Sequence, residues 1–194
     1  EKYLYGDTSL FELPEKPRLH ILTTNLSEGC LCSFNRDGLL VMRRGTNGDR
    51  VRVDQTRASL TTVPMAVAAS SAFPGFFPPL ELSEAEVGTP GGDFGHQAFT
   101  DGGVFDNLGI RMFQYLKEFL GPELLKLDGV VISDVGKPIA IQREDQGAGG
   151  LIRTSVRASD ILMDRVWQLE TETFRETPGF VFARSIEVVE PEED

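Results

Sequence analysis

At 194 residues the chain has one-domain length, and with 40% apolar and 25% charged residues it has the composition of a folded globular protein, which excludes collagen-like, coiled-coil and low-complexity architectures. Its 19 basic and 30 acidic residues leave a net charge of −11, which repels a polyphosphate backbone and argues against nucleic acid as a partner. No apolar run approaches the roughly 20 residues that cross a bilayer, and the opening Glu1-Lys2-Tyr3-Leu4-Tyr5 lacks the basic-then-apolar layout of a signal peptide.

A first strand is predicted over Arg18–Thr24, where β-branched and apolar residues follow the breaker Pro17. Strands Cys30–Phe34 and Leu39–Arg43 flank Asn35-Arg36-Asp37-Gly38, whose residue types tolerate turn dihedrals, so the pair reads as a hairpin. Cys30 and Cys32 then point to one face, and bridging i to i+2 would need strained geometry; buried free thiols and a reducing compartment are the simpler reading. With only His20 and His96 to assist them, they lack the ligand spacing of a structural zinc site. Between Arg36 and Arg57 six arginines meet three aspartates, either a hydrated hairpin or a patch for anionic lipid headgroups.

Pro64 suits the first turn of a helix running to about Ser71 on alanines 66, 68, 69 and 72, and Pro74-Gly75 with Pro78-Pro79 stop it. Residues 83–95 carry Gly88, Pro90, Gly91, Gly92 and Gly95 and read as an exposed loop. Gln97–Thr100 is a short strand delivering Asp101, and Ile110–Leu120 a helix with Ile110, Phe113, Leu116 and Leu120 on one stripe. The apolar run Gly129–Asp134 has the signature of an interior strand buried on both faces. Leu151 to Phe174 is a long helix with Ile152, Val156, Leu162, Val166 and Leu169 on one face; Phe180–Val188 is a last strand and residues 189–194 an acidic tail. This alternation predicts a single α/β domain over residues 1–194, three-layered, with a mainly parallel central sheet and flanking helices.

Chemistry concentrates in Phe99-Thr100-Asp101-Gly102-Gly103-Val104-Phe105-Asp106-Asn107-Leu108-Gly109. An acid at a strand's end followed by two glycines makes a tight turn without Cβ obstruction, so another group can approach the carboxylate; for the tripeptide alone a purely structural turn is the better reading. Some 30 residues earlier stands Ala66-Val67-Ala68-Ala69-Ser70-Ser71-Ala72-Phe73-Pro74-Gly75-Phe76-Phe77-Pro78-Pro79, an alanine-rich helix ended by a Pro-Gly-aromatic-Pro turn. Together the two stretches resemble the patatin-like phospholipase family. Ala69, Ser70, Ala72, Pro74, Phe77 and Pro79 match its Ala-Ser-x-Ala-x-Pro-x-x-Phe-x-Pro segment, and Asp101, Gly102, Gly103 and Asn107 match its catalytic-acid turn.

The resemblance implies a lipid acyl-ester hydrolase, of phospholipase A or lipase type, using a Ser–Asp dyad without cofactor or metal. Asp101 would be its base, Gly102, Gly103 and Asn107 its active-site turn, lipid or phospholipid its substrate and peripheral membrane contact its setting, in the cytoplasm or at a membrane's edge. Interfacial attraction is expected from exposed apolar loops such as Phe73–Pro79. The family dyad needs no histidine; His96 could be imagined as a third member, a loop histidine being the ordinary alternative. The family's nucleophile lies in Gly-x-Ser-x-Gly, and none of Ser9, Ser27, Ser33, Ser59, Ser70, Ser71, Ser83, Ser133, Ser155, Ser159 and Ser185 has glycine at both −2 and +2. The expectation is therefore the C-terminal portion of a patatin-like domain, truncated on its N-terminal side and inactive alone. Gly109 stands where the family often has proline, Asp106 could cap the following helix, and Asn107 could brace the turn. Two other readings are a non-catalytic module of the same family that binds lipid or a protein partner, and a metal or phosphate site on Asp101, Asp106 and Gly102-Gly103. The latter spacing fits no calcium loop, and no lysine follows the glycines.

Overall fold

The computed structural model describes residues 4, 6–44, 51–89, 91, 94–121, 130–134, 150–175 and 182–185. Its contacts group into two compact units, Glu1–Asn107 and Leu108–Asp194. The first holds β1 (His20–Asn25), β2 (Cys30–Asn35), β3 (Gly38–Arg44), β4 (Val51–Thr56), β5 (Leu80–Ser83) and β6 (His96–Asp101), in the order β4-β3-β2-β1-β6-β5. Every neighbouring pair in this sheet is antiparallel. The mainly parallel, three-layer sheet expected from the sequence is therefore corrected. Parallel neighbours need crossovers of about a dozen residues or more, and here β1 and β2 are joined by residues 26–29 and β2 and β3 by Arg36-Asp37 alone.

The two-residue link is possible because Gly38, at φ 120°, takes up the reversal; a Cβ there would run into the Thr56 carbonyl oxygen. One face of the sheet presents Cys30, Cys32, Phe34, Leu39, Val41 and Phe99 to α1 (Val63–Ser70), which buries Val63, Ala66 and Ala69 against them. Alanines on that helix let its backbone approach the strands closely. Thr62 caps α1 by accepting from the Met65 amide at 3.4 Å, with Pro64 in the first turn. On the other face Leu31, Leu40 and Met42 are buried as well. Covered on both faces, β2 is buried at every position.

Residues 83–95, expected as an exposed loop, contain the end of β5 and one helical turn, α2 (Glu84–Val87). Its start is fixed by Glu86, whose carboxylate accepts from the Ser83 amide at 2.8 Å and the Ser83 hydroxyl at 2.6 Å. β4 went unrecognised within the arginine-rich stretch. There Arg43 donates to Glu28 and, at 3.0 Å, to Asp54, which also accepts from Arg52 at 2.7 Å.

The second unit contains α3 (Ile110–Leu120), β7 (Val131–Asp134), α4 (Leu151–Arg175) and β8 (Phe182–Ser185), with β7 and β8 parallel. Ile110 and Ile132 are buried, packed with Leu108, Phe113 and Val130. The strand expected to be buried on both faces leaves Val131 79% exposed, while Ile132 points inward. On α4, Leu162 and Leu169 are exposed rather than on the core face, while Val156 and Val166 are partly covered and Glu170 is buried. The acidic tail at 189–194 lies outside the described residues, as does most of the strand expected over Phe180–Val188. Among the described residues no helix is long and apolar enough to cross a membrane.

Candidate functional site

Asp101 is the last residue of β6, opposite Thr23 of β1. The two sequence stretches singled out above meet here. The Asp101 amide donates to the Ala72 carbonyl at 3.1 Å, and the Thr100 hydroxyl donates to the same oxygen at 2.6 Å. Thr23 closes the join from β1, its hydroxyl donating to the Thr100 carbonyl at 2.7 Å and lying 3.4 Å from that of Ala69. The end of α1 thus stands beside the end of β6, held by a backbone amide and by buried hydroxyls that donate to carbonyls across the join.

Beyond Asp101 the chain enters a 3-10 turn, Gly102–Val104, for which Asp101 is the N-cap. Gly102 lies against β1 so closely that a Cβ would sit 2.7 Å from the Leu22 carbonyl oxygen and 2.9 Å from its carbon. No larger residue fits without moving backbone, which gives the first glycine of the motif a physical cause. Asp101 Oδ1 accepts from the Gly103 amide at 2.7 Å. Among the described residues, Oδ2 has no hydrogen-bond partner. Burial pushes the Asp101 carboxyl above its ordinary range, and the Gly103 amide offsets part of that rise. The result is a half-buried carboxylate tethered through one oxygen.

Asn107 is exposed, six residues further on, and Asp106 is buried. The N-cap position of α3 is held by Gly109, in the left-handed region at φ 75°, where glycine is at ease and proline could not stand. His96 begins β6, so five residue steps of roughly 3.4 Å, about 17 Å, separate it from Asp101. It is exposed, with Nε2 3.7 Å from a Glu81 oxygen, and it is not brought to the site. The Ser71 hydroxyl donates back to the Val67 carbonyl at 2.8 Å, a local helix contact.

Cys30 and Cys32 are buried free thiols with sulfurs 3.9 Å apart. Their mutual hydrogen bond, with burial, holds the Cys32 thiol well above its usual range. Sequence reasoning did not single out the contact of His20 Nδ1 with Ser33 Oγ, 2.9 Å apart. Burial, then Arg18, lowers the His20 pKa. Ser33 is wholly buried, so no substrate reaches it. Thr23 was also overlooked, since a threonine in a strand carries no signal until its partner strand is known.

A family model described as patatin-like phospholipase matches residues 9–113, more than half of the chain. No curated protein and no solved structure matches it.

Proposed function

Because the chain belongs to the patatin-like phospholipase family, a family of lipid hydrolases, we propose that it contributes the carboxylate of a Ser–Asp dyad that cleaves acyl esters of lipids. The observation that carries this reading is the state of Asp101: half-buried, its pKa raised, one oxygen held by Gly103 and the other unengaged among the described residues. A carboxylate near its ordinary pKa of about 4 is a weak base at neutral pH, and desolvation strengthens it.

In the proposed cycle Asp101 Oδ2 takes the proton of a serine hydroxyl as that oxygen attacks the acyl carbonyl. It returns the proton to the departing alcohol, leaving an acyl-serine. It then deprotonates the water that attacks the acyl-serine and passes that proton to the serine oxygen as the fatty acid leaves. No serine among residues 1–194 stands in Gly-x-Ser-x-Gly, so the nucleophile comes from polypeptide outside this sequence, and these residues alone are inactive. The free thiols of Cys30 and Cys32 suit a reducing compartment, the cytoplasm or a membrane surface facing it.

One observation favours a second reading, a non-catalytic lipid- or protein-binding module. The 2.7 Å bond from the Gly103 amide also makes Asp101 a structural cap. One experiment separates the two. In the polypeptide carrying the serine, Asp101→Asn is expected to lower hydrolysis of a fatty-acyl ester by at least about 10²-fold while preserving fold. A fluorophosphonate probe is expected to label a serine outside residues 1–194. Full activity in a folded Asp101→Asn protein, or a label on one of the serines named above, overturns the hydrolase reading.

A further inference from the structure

We infer that the turn carrying Phe76 and Phe77 seats the protein on a zwitterionic lipid surface, with Asp101 beside the contact; the choice of lipid as occupant rests on the proposed hydrolase reading. The turn begins just after α1 at Ala72, whose carbonyl the Asp101 amide holds at 3.1 Å, and rejoins the sheet at Leu80, opposite Phe99. Its two anchors therefore lie along the final residues of β6, the strand that ends in the candidate base.

From Phe73 to Leu80 there is no charged residue, in a chain of which 25% is charged. Phe76 is 67% exposed and Phe77 62%. Phe76 packs on Phe73, with ring centroids 5.7 Å apart, which fixes its direction. The backbone of the turn is largely satisfied from within. The Phe73 amide donates to the Ser71 carbonyl at 2.8 Å, and those of Phe76 and Phe77 donate to the Phe73 carbonyl at 3.2 and 3.0 Å, while Pro74, Pro78 and Pro79 carry no amide hydrogen. A loop with closed hydrogen bonds and outward aromatic rings can enter the headgroup layer without stripping amides of water.

Charge selects the lipid. The net −11 opposes an anionic bilayer, and four of the arginines have acidic neighbours of their own. Arg43 and Arg52 hold Glu28 and Asp54, Arg36 lies 3.9 Å from Glu15, and Arg18 4.0 Å from Asp37. A second copy of the chain is a poor occupant, because a stable interface buries about 800 Å² per partner and two phenylalanines supply about 150–250 Å² each even when wholly covered.

Flotation with phosphatidylcholine vesicles tests the proposal. Phe76→Ala with Phe77→Ala is expected to weaken partitioning about tenfold for each ring, with circular dichroism unchanged. Phe76→Trp is expected to bind, with new emission that brominated phosphatidylcholine quenches beyond the Trp167 background. Should the alanine pair fail to fold, the tryptophan variant decides. Unchanged binding by the folded alanine pair overturns the inference. So does a tryptophan at position 76 that brominated lipid leaves unquenched, because polypeptide covers it, or sedimentation showing that the rings join two copies instead. Asp101→Asn is expected to bind vesicles as the parent does; loss of catalysis and loss of binding are thus read separately, and either reading can fail while the other stands.

Discussion

Half-burial raises the pKa of Asp101 because losing water penalises the charged form more than the neutral one, and the single Gly103 amide compensates in part. A carboxyl whose folded pKa exceeds its unfolded value favours the fold while protonated, and that contribution is lost as pH rises through the folded value. At neutral pH the ionised side chain therefore weakens the structure it sits in. Asp101→Asn, which keeps an N-cap acceptor, is expected to raise Tm at pH 7, with the difference shrinking towards pH 3; thermal unfolding across that range checks the sign. Gly102→Ala meets the Leu22 carbonyl and is expected to cost about 2–3 kcal/mol in denaturant unfolding. Gly150→Ala, with open space around the added carbon, should stay within about 0.5 kcal/mol. Asp101 and its glycines were legible because an acid followed by paired glycines departs from strand and helix patterns alike. His20 and Ser33 were not, since their contact depends on the pairing of β1 with β2.

Between elements, the joint of α1 with β6 depends on Thr23 as much as on the motif residues. Thr23→Val keeps shape and removes the donor to the Ala69 and Thr100 carbonyls, and is expected to destabilise by about 1–3 kcal/mol. Hydrogen exchange at the Asp101 amide, bonded to Ala72, should then quicken. The same dependence on neighbours explains which elements the sequence revealed. The hairpin of β2 and β3, the helix on Ala66 and Ala69, and α3 were found within a residue or two, because turn chemistry, prolines and helical stripes are local. Strand direction was misjudged beyond that hairpin because β6 pairs with β1 across about 75 residues of chain, and no local residue pattern marks the direction of so distant a pairing. β4 was missed because Arg52 and Asp54 make it look like a charged loop, although their ion pair is a contact made on the strand itself. α4 was located correctly but its buried face was not: its Glu170 has an oxygen 3.6 Å from Arg111 and another accepting from the Leu108 amide at 3.4 Å, a polar burial no apolar stripe reveals.

For the molecule as a whole, the acidic excess should govern which vesicles it meets. Partitioning is expected to fall when phosphatidylserine replaces part of the phosphatidylcholine, and to recover as salt screens the repulsion over a Debye length of about 8 Å near physiological strength; titration at rising ionic strength measures it. Family similarity spans residues 9–113 and therefore runs from the first compact unit into the second, ending inside α3. A fragment cut at that limit would keep only the opening turn of a helix, too little to hold itself in water. Cys30 and Cys32 lie in the middle of the larger sheet, covered when it is closed. An alkylating reagent can reach them only when β2 parts from its neighbours, so the rate of thiol capture is a native stopwatch for the opening of that sheet, available without any engineered label.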